Sequence, residues 1–119
     1  MTSVATFRDR VDDALATVKR GLPKARVLLV SIPNVYRVWE VGRKSSVDVA
    51  RRAAFKERIA NFNAELRQAC TAYGSACRFD DVSRFAFDLG MLSAIDYFHP
   101  NSTGQQALAK ETYPGSFRW

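Results

Sequence analysis

Apolar residues recur along the first turns of the chain at helical steps, in Phe7, Val11, Ala14, Leu15, Val18 and Leu22. That spacing predicts a helix over 6–20 with one apolar face. Thr6 can cap it by accepting a backbone N–H, and Gly21 with Pro23 ends it. The period then changes. Val27-Leu28-Leu29-Val30-Ser31-Ile32 is a nearly unbroken apolar run stopped by Pro33, the pattern of a parallel strand buried on both faces. The stretch 34–46, with Gly42 and Ser45-Ser46 around Tyr36 and Trp39, reads as a long loop after the strand's C-terminal end.

Helical spacing returns in Phe55, Ile59, Phe62, Leu66, Ala69, Cys70 and Tyr73, which predicts the longest helix, from near Val47 to a stop at Gly74. Cys77-Arg78-Phe79-Asp80 can form a second, shorter strand. Residues 81–95 are irregular and aromatic-rich, and Asn101 or Ser102 can cap a last helix over 103–112. The order helix, strand, helix, strand, helix is that of an α/β layered fold with parallel strands. Two strands are too few for a sheet buried on both faces. The expectation is therefore of further strands, upstream in an intact protein or from a partner chain, and of self-association through an exposed sheet edge.

With 119 residues, 47% of them hydrophobic and 12% aromatic, the chain can bury a core and reads as one unit, either a domain or a portion of one. The formal charge of +6 raises an anionic polymer as a partner. Yet the basic residues alternate with acids, as in Arg8-Asp9-Arg10, Lys56-Glu57-Arg58 and Glu65-Leu66-Arg67, which is the pattern of a solvated face. No aromatic-interleaved basic stripe accompanies them, and nucleic acid is not expected as a partner.

Cys70 and Cys77 flank Tyr73-Gly74-Ser75. They can form a disulfide in an oxidising compartment, or stay as two reduced apolar thiols in a cytosolic core. With a single histidine there is no four-ligand zinc set, and nothing calls for a metal or cofactor. The first residues lack both the basic start and the apolar stretch of a signal peptide, and no run is long and apolar enough to span a membrane. An exported disulfide protein would then need its signal encoded ahead of Met1.

The candidate chemistry lies in Asp96-Tyr97-Phe98-His99-Pro100. A nucleophilic serine needs a base to take its proton, and a carboxylate on the other imidazole N–H fixes the tautomer and stabilises the imidazolium. Asp96 and His99, three residues apart on a loop stiffened by Pro100, can serve as that orienting acid and base.

The stretch from Asp96 through Asn101-Ser102-Thr103-Gly104 to Ala109 resembles the last block of the GDSL/SGNH hydrolases, in which D-x-x-H-P leads through a polar turn into a helix. Ser31-Ile32-Pro33-Asn34, Phe62-Asn63-Ala64-Glu65-Leu66, and Cys70 with Cys77-Arg78-Phe79-Asp80 resemble the secreted bacterial lipase and esterase branch. The resemblance implies a three-layer α/β/α, flavodoxin-like fold, hydrolysis of carboxylic or lipid acyl esters, and Asp96 and His99 as the second and third members of the triad. It also implies a bridge between Cys70 and Cys77 and an extracellular location for the intact protein.

The family's G-D-S nucleophile block and the glycine and asparagine of its oxyanion hole have no counterpart here, and Met1 to Phe7 resembles the segment just beyond its G-x-N-D block. Residues 1–119 are therefore expected to be a single C-terminal portion of such a domain, with the N-terminal strands missing and no activity alone. A non-catalytic remnant or binding module is the alternative, and a basic domain for an anionic polymer a lesser one. Among serines that can stand in, Ser31 is the best placed, at the end of a parallel strand, but it lacks the glycine-flanked turn that exposes a nucleophile. Ser93 and Ser102 are near the dyad in sequence, and Ser83 has nothing to recommend it. Tyr36, Trp39, Phe85, Phe87, Tyr97 and Phe98 are candidates for an acyl pocket, with core packing as the alternative. Asn34 and Arg37 follow the first strand and can approach a substrate.

Overall fold

The computed structural model describes residues 2–34, 46–95 and 99–116. Helix α1 spans Val4–Gly21. It begins two residues earlier than the apolar steps suggest because Ser3, not Thr6, is the cap: the Ser3 hydroxyl accepts the Thr6 N–H at 3.0 Å. Val4, Phe7, Val11, Leu15 and Val18 form its buried and half-buried stripe. Ala14 and Leu22 do not join it, and Leu22 is 63% exposed because the helix has already ended there.

Strand β1 spans Val27–Val30 and strand β2 Cys77–Asp80. They pair in parallel, with Val27 opposite Cys77 and Val30 opposite Asp80, as the pattern requires of an α/β fold. The expectation that β1 is buried on both faces is not met: Val27, Leu28 and Leu29 are half-buried and Val30 is exposed. The apolar run ends sooner than Ile32 because Ser31 and Ile32 take part in polar bonds beyond the strand. Among the described residues each strand has one neighbour, so half of the backbone edge and much of the apolar surface lacks the cover that a wider sheet supplies.

Helix α2, Ser46–Tyr73, crosses from one strand to the next. Ile59, Ala69 and Cys70 are buried, and Phe55, Phe62, Leu66 and Tyr73 are half-buried, so the expected face is the packed one. Helices α1 and α2 run side by side in the same direction. Phe7 stacks on Phe62 with ring centroids 4.3 Å apart, the Arg8 guanidinium makes a two-pronged bond to the buried Glu65 carboxylate, and near the far ends the Lys19 ammonium lies over the Tyr73 ring. Hydrogen bonding to Glu65, with its negative charge, raises the Arg8 pKa further above its ordinary value. A buried carboxylate without such a partner would be destabilising.

Gly74 ends α2 with φ +100°, a left-handed turn that favours glycine. The turn returns the chain within three residues, so that Cys77 meets Cys70 in a disulfide with Cα atoms 5.3 Å apart. The last element, α3, spans Ser102–Ser116. It packs against a single 3-10 turn at Leu89–Met91 and the end of β2. A small core lies there, built from Phe87 and Leu92 with Phe85, Met91 and Leu108 against them.

Candidate functional site

The segment that carries His99 is held by backbone bonds to the chain just before it. Ser93 N–H donates to the His99 carbonyl at 2.8 Å, and Leu92 and Pro100 form an antiparallel bridge. One residue on, Asn101 fastens the same two strands of chain to the helix. Its N–H donates to the Met91 carbonyl at 3.0 Å, its side-chain amide donates to the Gly90 and Leu92 carbonyls at 2.9 Å each, and its Oδ1 accepts the Gly104 N–H at 3.0 Å. Asn101 is thus the cap of α3, as its position suggests, while Ser102 is the first helical residue rather than the cap.

Gly104 explains how α3 comes so close. It is buried, and a Cβ placed on it would collide with the Met91 carbonyl and press on the Pro100 ring. The 3-10 turn is itself capped, since the Asp88 carboxylate accepts the Met91 N–H at 3.1 Å. These contacts hold the backbone of His99 just ahead of α3, and the residue is exposed. Asp96 lies outside the described residues, as do Tyr36, Arg37, Trp39, Tyr97 and Phe98. Phe85 and Phe87 belong to the small core, edge to face at 4.9 Å, so for these two the packing reading holds over the acyl-pocket reading.

Ser31 is 2% exposed. Its hydroxyl accepts the Val82 N–H at 2.8 Å and donates to the Asp81 carboxylate at 3.3 Å. It therefore ties the end of β1 to the loop after β2, a structural use of a hydroxyl that has no room for an attacking substrate. Ser93 accepts the Ile95 N–H at 3.2 Å and stiffens the turn ahead of residue 96. The Ser83 N–H donates to Asp81 at 3.0 Å.

Two polar residues at the C-terminal ends of the strands carry no signal in the apolar pattern. Asn63, in the middle of α2, uses its whole amide on one residue: Nδ2 donates to the Ile32 carbonyl and Oδ1 accepts the Ile32 N–H, at 2.9 and 2.7 Å. It thereby extends the ladder one step past β1. Asp81 gathers Ser31, Ser83 and Arg67. Hydrogen bonding from Ser83, with further help from the Arg67 charge and Ser31, lowers its pKa against the opposing effect of partial burial. An asparagine inside a helix is unfavourable by propensity, a signal for Asn63 that adds to its place in the Phe62-Asn63-Ala64-Glu65-Leu66 stretch.

Among the described residues no helix is long and apolar enough to cross a membrane. No curated protein and no solved structure gives a significant match to the chain. The family model for the GDSL-like lipase/acylhydrolases, in contrast, matches residues 1–112, a span that includes both strands, the disulfide and the block from Asp96 to the helix. The chain is thus a member of the GDSL-like lipase/acylhydrolase family.

Proposed function

We propose that this chain supplies the acid and base of a serine ester hydrolase, with Asp96 orienting His99 and His99 taking the proton of a serine from outside residues 1–119. The observation that carries the reading is the D-x-x-H-P block in a chain of this family, with His99 exposed at a rigidly held helix start. In the reaction the serine attacks the ester carbonyl, and His99 takes its proton and passes it to the leaving alcohol. Water then enters and gives a proton to His99 as its oxygen attacks the acyl carbon, and His99 returns that proton to the serine oxygen as the acid leaves. The substrate class is a carboxylic or lipid acyl ester, following the family. Within the family the secreted bacterial branch fits best, because a Cys70–Cys77 bridge is stable in an oxidising, extracellular setting. Each strand has a single neighbour among the described residues, which supports pairing with strands that lie outside these residues, or with a second copy.

A non-catalytic role is the second reading. It is favoured by the burial of Ser31, the serine best placed to replace the family's G-D-S nucleophile.

The test is labelling with a fluorophosphonate, which marks activated serines, read by intact mass. The chain by itself takes up no label. A chimera that places a family member's segment, from its G-D-S to its G-x-N-D block, ahead of residue 1 becomes labelled, and His99→Ala abolishes that label. A chimera that melts cooperatively and stays unlabelled overturns the proposal. So does a label on the chain alone that His99→Ala removes, because the nucleophile would then be one of its own serines.

A further inference from the structure

The alternation of acids and bases that marks much of the sequence breaks at one place. From Ala14 to Trp39 there is no carboxylate, and Lys19, Arg20, Lys24 and Arg26 follow one another closely. The structure puts them where α1 ends and the chain turns into β1, and all four are exposed. The neighbouring connection from α2 into β2, Gly74-Ser75-Ala76, has no acid either. The two are fastened together: the Val27 N–H donates to the Ala76 carbonyl at 2.8 Å, and the Lys19 ammonium donates to the Tyr73 carbonyl at 3.4 Å. Because the strands are parallel, both connections lie at their N-terminal ends, away from Ser31 and Asp81.

Two features set this end apart from an ordinary solvated face. Lys19, Arg20 and Lys24 form no ion pair among the described residues. Lys19 lies instead over the Tyr73 ring, and Arg20 bonds the Thr17 hydroxyl. Cations at a helix C-terminus answer its dipole, but that end carries only about half a unit of negative charge, so most of the positive charge is left over. The second feature is Leu22, 63% exposed in the midst of these cations. A single exposed leucine is ordinary, yet this one is held in a fixed turn. Its N–H donates to the Val18 carbonyl at 2.7 Å and its carbonyl accepts the Ala25 N–H at 2.9 Å, with Pro23 stiffening the chain next to it. Cations clustered around an exposed apolar side chain suit a phospholipid surface, where the cations meet phosphates and the leucine enters the boundary beneath them. A nucleic acid would engage the cations and leave Leu22 unused, and the segment 19–26 has no aromatic ring on which a base could stack.

We propose that the segment 19–26 docks the protein on an anionic phospholipid surface, with Lys19, Arg20, Lys24 and Arg26 at the headgroups and Leu22 inserted between them. The carboxyl ends of the strands then face away from the lipid. Docking needs neither a serine nor His99, so it stands apart from the ester reading.

The experiment is flotation of the full chain with unilamellar vesicles on a density gradient, which separates lipid-bound from aggregated protein. One set of vesicles is phosphatidylcholine, and the other is an equal mixture of phosphatidylcholine and phosphatidylglycerol. The chain should float with the mixed vesicles at low salt, stay behind with phosphatidylcholine alone, and float less as salt rises. Arg20→Gln combined with Lys24→Gln should weaken partition roughly twenty-five-fold, about fivefold for each cation. Arg10→Gln combined with Lys110→Gln removes the same charge from exposed positions elsewhere and should cost far less. Leu22→Ser should weaken partition roughly tenfold, the loss of one partly inserted leucine. All the substituted side chains are exposed, and far-UV circular dichroism checks that each variant keeps the parent's helices. No flotation with the mixed vesicles, equal flotation with both sets, or equal weakening by the two charge pairs would each overturn the proposal. So would Leu22→Ser floating as well as the parent, because the surface would then be a purely electrostatic one, suited to an anionic polymer.

Discussion

The two ends of the molecule are ordered by different means. From α1 to β2, side chains hold the structure: a stacked Phe7–Phe62 pair and the Arg8–Glu65 pair join two long helices over large sequence separations, and a disulfide fastens the end of α2 to the start of β2. Around His99, Phe87 and Leu92 are the buried centre of the local core, and the chain is held by backbone carbonyls gathered onto one asparagine. Packing tolerates replacement by residues of similar volume, whereas a cluster of directional bonds depends on one side chain and on the closeness of two backbones. The candidate chemistry sits in the second kind of order.

Gly104→Ala should separate the two regions most sharply. On an isolated helix the change is favourable by about 1 kcal/mol. Here the added methyl meets a carbonyl and a proline ring, neither of which can rotate aside. We expect a net loss of about 3 kcal/mol, at the upper end of overpacking, confined to α3 and the 3-10 turn. Hydrogen exchange read residue by residue checks this: faster exchange at Asn101 and Gly104 with unchanged protection in α1 and α2 is the expected outcome. A uniform loss would mean that the two regions unfold as one.

The disulfide probes the other side of the comparison. Cys70 and Cys77 lie seven positions apart, and in the chain-entropy model closing so short a loop stabilises by about 2.4 kcal/mol. Replacing both with alanine should lower stability by about that amount in denaturant melts. It should leave the Asn101 contacts intact, because Gly74 and the β1–β2 ladder still direct the turn. An equal change in His99 resonances and in those of α2 would break the division between the regions.

The same contrast sets what could be read from the amino-acid pattern. Helical steps locate α1 and α2, and an apolar run followed by proline locates β1, because burial of side chains leaves a period. The bounds of α1 shift since Ser3 precedes the first periodic residue and offers a better cap. The continuous run of β1 locates a parallel strand but overstates its cover, because burial depends on neighbouring elements and not on the strand's own residues. The D-x-x-H-P block suggests chemistry through Asp96 and His99 only together with the family resemblance of the residues that follow it. Its support is not legible, because Asn101 acts on carbonyls and any sequence supplies carbonyls. The place of Ser31 at the strand end is legible from the pattern, whereas its burial depends on Asp81 and Val82, about fifty residues away in the chain.

Asp81 joins the ends of β1 and β2 within the side-chain-held region, and its effect on stability should be the smallest of those considered. Its folded-state pKa is lowered by Ser83, Arg67 and Ser31. A depressed carboxylate pKa contributes stability that is present above the unfolded value, near pH 4, and is lost as pH falls through the folded value. The group is exposed, so its ion pair with Arg67 contributes about 0–1 kcal/mol, as surface pairs typically do. Asp81→Asn should therefore lower the melting temperature slightly at neutral pH, and the two curves should converge on acidification below about pH 4. Parallel curves would place the acid sensitivity on other carboxylates. A large drop at neutral pH would show instead that Asp81 holds Ser31 and the strand ends in place, so that directional bonds carry this region as well as the one around His99.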